Sequence, residues 1–405
     1  MLFKMQTVVL LALGIVHLLL NGCFADGINR KNFPNDFIFG TGSSAYQYEG
    51  AVKEDGRGQT IWDKIAKNFG NASDSSNADI TVDQYHLYEA NGSGHINQAG
   101  IDHYNALINS LLAHIYGDAL HELGHHSTER YIVAHNLLLS HASAYHIYKR
   151  KYKAKQNGRI GIAFDLTWYI PGTNKSEDIE ATQRAQNYQL GWFLDPIMFG
   201  DYPTSMRQII GDRLPRFSKS QIHLLKGSLD FVGVNHYTTW YALHNKPSII
   251  GTFVNDSNAD SRSILLPFKD GKAIGERAHS EWLYIVPWGI RSALNYLKNK
   301  YENPLVIITE NGMDYQNIPS LPIEEALKDD KRIKFHNAYL TNVLAAIKYD
   351  GCNVKGYFAW SLLDNWEWLT GFGSRFGLYY VDYNDNLKRH AKDSAIWFKN
   401  FLNVG

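Results

Sequence analysis

Apolar residues follow two alternating periods along most of the chain. Short runs of apolar and β-branched residues predict buried strands, and apolar residues spaced three or four apart predict helices between them. The predicted strands are Phe37–Phe39, Arg159–Phe164, Leu229–Tyr237, Val306–Thr309 and Val354–Ser361. Alternation of strand and helix is typical of a parallel sheet covered by helices. The pattern therefore predicts an α/β fold of the (β/α)8 TIM-barrel type, with five of the eight strands present.

The helices between these strands are indicated by stripes of apolar residues. The stripes are Ala134, Leu138, Ala142 and Tyr145; Ala181, Ala185, Tyr188 and Trp192; Ile290, Leu294 and Leu297; Phe335, Tyr339 and Val343; and Ile396, Trp397 and Phe401. Lys149, Arg150 and Lys151 suit the carboxyl end of the first helix, because cations there interact favourably with the helix dipole. Each stripe predicts a helix face packed on the core.

Polar and aromatic residues stand where the predicted strands end. Glu310 directly follows a β-branched run, and Trp360 closes the last strand before the cluster Asp364–Trp368. Functional residues of (β/α) barrels lie at the carboxyl ends of the strands, so these positions are candidates for a site. Gln47 follows the first strand, although a turn residue is the commoner role for such a glutamine.

Residues 1–25 have the pattern of a secretory signal peptide. Lys4 precedes the apolar run Val8–Leu20, and the small residue Ala25 suits cleavage. This run is shorter than the roughly 20 residues that a membrane-spanning helix needs. We expect a secreted protein of the extracellular space or the vacuole, whose residues 26–405 form a single domain.

Sequons and cysteines agree with a secreted glycoprotein. Four Asn-X-Ser sequons begin at Asn71, Asn91, Asn174 and Asn255, and each is a candidate glycosylation site. Cys23 belongs to the predicted signal peptide, which leaves Cys352 as the single cysteine of the mature chain. No disulfide within the chain is therefore expected, and the fold depends on its core.

The charge balance excludes some partners. The chain has 40 Lys and Arg residues and 40 Asp and Glu residues, so it has no net charge to attract nucleic acid or an anionic membrane. Aromatic residues make up 13% of the chain, and aromatic faces stack well on sugar rings. A neutral small-molecule partner is favoured, and the oligomeric state stays open.

Three stretches resemble glycoside hydrolase family 1, and within it the retaining β-glucosidases of plants. They are Asp36–Gly50, Ile308–Gly312 and Tyr357–Trp368, and from Glu129 onward the resemblance is continuous. It implies a hydrolase of carbohydrate metabolism, a glycosidase that cleaves O-glycosyl bonds of β-D-glucosides. It implies no cofactor and no metal.

The resemblance also implies roles for individual residues. Glu310 matches the family's nucleophile, and Tyr237 matches the tyrosine that hydrogen-bonds the nucleophile and keeps it charged. The residues that match the sugar-binding positions are Gln47, Glu367 and Trp368, with Trp360 as an aromatic platform and Phe376 as an aromatic side chain that closes the glucose pocket.

One part of the family pattern is missing between residues 88 and 129. In the family this region supplies an arginine near the nucleophile, a substrate-binding histidine and the acid/base glutamate, on three strands. Here a helical stripe at residues 101–112 lacks its preceding strand, and only residues 113–128 separate Leu112 from Glu129. Two strands with a helix between them need more residues than that. We therefore expect an internal deletion of about three strands, and a weakly active or inactive enzyme without its acid/base.

Two alternatives remain open at this stage. His121, Glu122 and His125 have the HExxH form of a zinc metalloprotease, in which the histidines bind zinc and the glutamate acts as general base. The metzincin extension is missing, because Thr128 and Tyr131 stand where glycine and histidine would follow. In the other common pattern a downstream glutamate is the third ligand, and Glu129 follows too soon for that role. The other alternative is a non-catalytic protein that binds glycans or assembles with a partner through the remaining sugar site.

Overall fold

The computed structural model describes residues 27–54, 60, 62–63, 74, 76–87, 126–245 and 260–403. The predicted signal peptide, most of the region of the expected deletion and the HExxH motif lie outside these residues, and their predictions stay predictions. The described part contains one large core cluster, which joins the sheet to the helices, and two small clusters.

A five-stranded parallel sheet forms the centre of the molecule. Its strands are β1 (Ile38–Thr41), β2 (Gly161–Asp165), β3 (Phe231–Asn235), β4 (Val306–Asn311) and β5 (Val354–Ala359). The order across the sheet is β1-β5-β4-β3-β2, and every neighbouring pair is parallel. This confirms the predicted strands of an incomplete (β/α)8 barrel. Its edges are β1 and β2, where three further strands would close an eight-stranded barrel.

The two faces of the sheet differ in the burial of their side chains. The face that packs against helices carries the buried residues Ile162, Phe164, Val232, Val234, Ile308 and Tyr357. The opposite face, which would be the barrel interior, carries the partly exposed side chains of Phe231, Ile307 and Phe358 among the small residues Gly161, Ala163, Gly233 and Gly356. On the edge strand β1, Ile38 is 54% exposed. One face of the described sheet therefore forms the core, while the other borders an open cleft.

The helices follow the strands in the predicted alternation. Those of seven or more residues are His126–Lys151, Ser176–Gln186, Trp192–Phe199, Thr204–Ile210, Lys219–Leu225, Pro287–Lys300, Asp330–Lys348 and Asp393–Leu402. Shorter helical turns are Arg30–Asn32, Ala45–Tyr48, Gln84–Leu87, Lys153–Gln156, Gly211–Arg213, Ile323–Ala326 and Trp368–Gly373.

Short strands lie outside the central sheet. They are Trp168–Pro171, Thr239–His244, Ser263–Leu266, Phe268–Lys269, Lys272–Ala273, Glu276–Arg277, Tyr284–Ile285, Tyr315–Gln316, Ser374–Arg375, Tyr379–Asp382 and Lys388–Ala391. Among the residues that the structure describes, no helix is long and apolar enough to cross a bilayer.

Two helices differ from the predicted stripes. The stripe from Ala181 to Trp192 is interrupted by a π-helical turn at Asn187–Gly191, because the chain inserts a wider turn between two α-helices. In the last helix Ile396 is half exposed, whereas Phe398 and Phe401 are buried. The prediction of Ile396 as a core residue is therefore wrong, since the buried face of this helix is rotated toward Phe398.

Candidate active site

Glu310 lies at the carboxyl end of β4, next to Tyr237. The Tyr237 hydroxyl donates a hydrogen bond of 2.6 Å to Glu310 Oε2. The β4 strand is irregular between Ile308 and Glu310, where its register against β3 shifts. Such irregularities re-aim side chains at strand ends. Here Thr309 Oγ1 donates to Asn235 Oδ1 at 2.6 Å while Glu310 meets Tyr237, so consecutive residues both bond to groups at the end of β3.

The surroundings of Glu310 raise its pKa. Burial raises the pKa of this carboxyl to about 7, and the negative charge of Asp165 adds to the rise. Hydrogen bonds from Tyr237 and Asn235 lower the pKa, since they stabilise the carboxylate form, but they do not cancel the effect of burial. Glu310 therefore ionises close to neutral pH, and it attacks an electrophile only when ionised.

Replacing Tyr237 with phenylalanine is expected to move the titration of Glu310 upward. The lost hydrogen bond to a charged group is worth about 1.5–3 kcal/mol, which corresponds to roughly one to two pH units. The pH profile of covalent labelling of Glu310 by a fluoroglucoside should then rise at a correspondingly higher pH than in the wild type. Tyr241→Phe, on a neighbouring strand, is the matched control, and an unmoved profile for Tyr237→Phe would contradict the assigned role.

Gln47 and Glu367 line the cleft from opposite ends of the chain. Gln47 is 1% exposed, and its Nε2 donates to Asn365 Oδ1 and to the Trp366 carbonyl, each at 3.1 Å. Burial raises the pKa of Glu367 to about 8, with further increases from the charges of Asp314 and Glu310, while hydrogen bonds from Trp360 and Gln47 lower it. The structure thus brings Gln47, Trp360 and Glu367 together. The negative charge of Glu310 is close enough to raise the pKa of Glu367.

Aromatic side chains surround these polar groups. Phe376 is buried and meets the Tyr237 ring edge-on at 6.1 Å, and the half-exposed Trp282 meets the same ring at 5.7 Å. Trp368 stacks on Trp62 with centroids 4.6 Å apart, in a small aromatic cluster beside the main core. Phe376 therefore lies at the nucleophile, whereas the described contacts of Trp368 are structural.

Asp165 is a cleft residue that the sequence patterns did not indicate. The apolar run of its strand ends at Phe164, but pairing with Asn235 extends β2 by one residue. Gln189 Nε2 donates to Asp165 Oδ2 at 2.9 Å. A polar residue directly after a predicted strand was the available signal, the same one that indicates Glu310.

A buried ionic network supports the wall of the cleft. Asp364 is fully buried, and it accepts hydrogen bonds of 2.7 Å from both Arg375 Nη1 and Lys392 Nζ. It also accepts the backbone N–H of Gly377 at 2.9 Å. Burial alone would raise the pKa of Asp364, but the charges of Lys392 and Arg375 outweigh it and hold the pKa below its usual range. The network fixes the segment that precedes Glu367 against the segment that carries Phe376.

The remaining site predictions fall on the surface or outside the described residues. Asn174 is exposed in the loop before Ser176, as a glycosylation site requires. Asn71, Asn91 and Asn255 lie outside the described residues, as do His121, Glu122 and His125. In the part of the chain that is described, no group of three or more His, Cys, Asp and Glu side chains is arranged to hold a metal ion.

Comparison with known proteins settles the family. The model of Glycosyl hydrolase family 1 matches residues 29–91 and 111–404. The chain belongs to this family. The match leaves out residues 92–110, which fall within the region where the family pattern is interrupted.

Family members from plants align over nearly the whole chain. Beta-glucosidase 6 of Oryza sativa subsp. japonica is 48% identical, over 98% of this chain and 96% of the relative. Beta-glucosidase 40 of Arabidopsis thaliana is 49% identical, over 94% of each chain. The alignment with the rice relative extends over 499 residues, more than the 405 of this chain, so some positions of the relative have no counterpart here. This difference in length agrees with an internal deletion.

Solved structures of family members share the fold. The crystal structure of a rice β-glucosidase has a TM-score of 0.84 and 47% identity, covering 93% of this chain and 100% of the other. A mutant of that enzyme, with one glutamate replaced by glutamine, has a TM-score of 0.83 and is described as a covalent complex with Glc from GA4GE. The fold of this family 1 chain is thus a shortened TIM barrel with a parallel sheet of five described strands. The zinc-protease and glycan-binding alternatives find no support among these relatives.

Proposed function

We propose that the protein is a retaining β-glucosidase that uses Glu310 as its nucleophile on β-D-glucosides. The observation that carries the proposal is the Glu310–Tyr237 pair at the carboxyl end of the sheet, with Gln47, Trp360 and Glu367 beside it. The relatives are β-glucosidases by name, which supports a glycoside substrate.

In the proposed reaction Glu310 attacks the anomeric carbon. A bond forms between a Glu310 carboxylate oxygen and C1, and the bond between C1 and the leaving oxygen breaks. Water then attacks C1 and releases glucose with its original anomeric configuration. The covalent Glc complex of the rice mutant supports such an intermediate in this family. Because that complex was obtained with a glutamate replaced by glutamine, it also supports an intermediate that persists when a glutamate is missing.

We further propose that the acid/base carboxyl is missing. The family strands that would carry it have been deleted from the region between residues 88 and 129. The interruption of the family match within this segment supports the proposal. Loss of general acid assistance costs about 10²- to 10⁴-fold in rate. Substrates with poor leaving groups suffer this loss, whereas a leaving group that departs as a stable anion needs no proton. The preferred substrates are therefore activated glucosides.

Secretion and glycosylation complete the proposal. The predicted signal peptide and the exposed Asn174 sequon favour a glycoprotein that enters the secretory pathway and reaches the apoplast or the vacuole. The substrates would be small glycosides of those compartments.

A leaving-group series tests the proposed function. Wild-type protein is incubated with 2-deoxy-2-fluoro-β-glucosides that carry either a dinitrophenolate or an alkoxide leaving group, and the intact mass is followed. We expect the fluoroglucosyl adduct with the dinitrophenyl compound alone, on the peptide that contains Glu310. Labelling by both compounds would show a working acid and contradict the missing acid/base. Absence of any adduct on soluble protein would contradict the nucleophile.

A further inference from the structure

A second carboxyl group stands at the same level of the sheet as Glu310. Asp165 ends β2 and pairs with Asn235, which in turn pairs with Glu310 on β4. Along β2 the buried residues Ile162 and Phe164 face the helices, whereas Asp165 alternates with them and is partly exposed, like Gly161 and Ala163. Asp165 therefore belongs to the open face of the sheet, on its edge strand.

The spacing of the strands sets the separation of the two carboxyl groups. Two strand spacings of about 4.8 Å place their backbones roughly 10 Å apart. In retaining enzymes the two carboxyl groups lie about 5 Å apart, and the one that assists the leaving oxygen also activates the water. In inverting enzymes, where a water molecule stands between the sugar and the base, the carboxyl groups lie about 6.5–9.5 Å apart. A backbone separation of about 10 Å therefore leaves room for C1 of a glucosyl group and one water molecule between the carboxyl groups of Glu310 and Asp165.

A buried glutamine holds Asp165 in place. Gln189 is 8% exposed and donates its Nε2 hydrogen bond to Asp165 Oδ2 at 2.9 Å. It stands in the π-helical turn Asn187–Gly191, and such turns occur frequently at functional sites. Gln189 Oε1 has no hydrogen-bond partner among the described residues, so an acceptor is available beside the Asp165 carboxyl for a water or a hydroxyl group.

We propose that Asp165 is the general base that activates water for release of glucose from Glu310. This inference rests on the proposed function, because it needs a glucosyl ester on Glu310. Asp165 on β2 would take over the activation of water, a step for which we propose that the acid/base glutamate is missing.

In the proposed step, water hydrolyses the glucosyl ester on Glu310. The water oxygen bonds to C1 of the glucosyl group while one water proton passes to an Asp165 carboxylate oxygen. The bond between C1 and the Glu310 oxygen breaks, and its electron pair restores the Glu310 carboxylate. Asp165 then loses its proton to solvent, and the free enzyme is regenerated.

The charges around Asp165 favour this order of events. Burial raises the pKa of Asp165 to about 6, while hydrogen bonds from Gln189 and the Leu166 backbone lower it. The two carboxylates repel each other in the free enzyme, as the effect of Asp165 on Glu310 shows. In the glucosyl ester Glu310 has no charge, so Asp165 ionises more readily at the stage where a base is needed. The other titratable groups on which its charge acts are Tyr169 and Tyr237, both neutral at this pH.

Release of a preformed adduct tests the inference separately from its formation. Wild-type, Asp165→Asn and Asp382→Asn proteins are labelled with the dinitrophenyl fluoroglucoside, freed of reagent and incubated at pH 7, and loss of the adduct mass is followed. Asp382, at the end of an outlying strand, is the matched control. We expect labelling of all three proteins and release from Asp165→Asn that is slower by about 10²-fold or more.

Azide provides the second measurement, because it attacks C1 without a base. We expect added azide to accelerate release from labelled Asp165→Ala and to yield the β-glucosyl azide. Equal release rates in wild type and Asp165→Asn would overturn the inference, as would failure of azide to accelerate Asp165→Ala. An Asp165→Asn protein that is never labelled would overturn it too, because a base for water has no part in labelling. Absence of labelling in the wild type would instead overturn the proposed function.

Discussion

Replacing Glu310 with glutamine is expected to abolish covalent labelling by the dinitrophenyl fluoroglucoside. The amide keeps the size of the side chain but lacks the carboxylate that bonds to C1, and loss of an enzyme nucleophile costs on the order of a millionfold in rate. The variant should remain folded, since Glu310 at the cleft contributes no ion pair to the described core. Intact mass after overnight incubation measures the result.

Two comparisons make this result specific. Glu302→Gln changes an exposed glutamate in the turn before β4, and it should label like the wild type. Glu310→Ala with added azide should regain turnover of the dinitrophenyl glucoside and give the α-glucosyl azide, because azide attacks from the face that Glu310 used. Labelling of Glu310→Gln at the wild-type rate would show that another residue is the nucleophile.

The Asp364→Asn substitution is expected to lower the free energy of unfolding by about 3–5 kcal/mol. Removing one partner of a buried ion pair leaves an uncompensated charge in a site without water. Here two cations, Arg375 and Lys392, would lose the same carboxylate at once. Burial already lowers the pKa of Lys392 to about 8, so this lysine is expected to lose its proton in the variant.

Guanidinium unfolding followed by tryptophan fluorescence measures this loss. Asp385→Asn is the control, since Asp385 forms a pair of the same 2.7 Å length with Lys388 on the exposed surface. Exposed pairs contribute little, and we expect this control to unfold at the wild-type denaturant concentration. Equal midpoints for the Asp364→Asn protein and the wild type would show that the buried network does not stabilise the fold.

Local sequence patterns predicted the strands because each strand is an apolar run of its own. Val306–Thr309 predicted β4 up to the residue before the nucleophile, and parallel pairing with Asn235 and Ala359 continues the strand to Asn311. Pro287 marked the first residue of its helix. Such features depend on a few neighbouring residues, so a single sequence contains them.

Features that depend on distant residues were not predictable in the same way. The π-helical turn at Asn187–Gly191 keeps Tyr188 and Trp192 buried, so the apolar stripe looks the same with or without it. The ion pair of Asp364 with Lys392 joins charges that the sequence alone does not show to be buried. Among the catalytic candidates, Glu310 was indicated by its place at the end of a predicted strand, and the roles of Tyr237 and Gln47 came from the family resemblance. Asp165 also follows a predicted strand, but its place beside Glu310 is seen only from the register of β2 and β3.

The order of the strands has a consequence for synthesis of the chain on the ribosome. Among the described strands β1 pairs only with β5. A surface ion pair beside this pairing joins Asp36 to Lys355, which are 319 residues apart in sequence. At a translation rate of roughly 5–20 residues per second, about 15–60 s pass between the synthesis of β1 and that of β5. Contacts of such long range also slow folding after release. The nascent chain thus exposes its first strand for most of its translation, and the yield of native protein should depend strongly on chaperones.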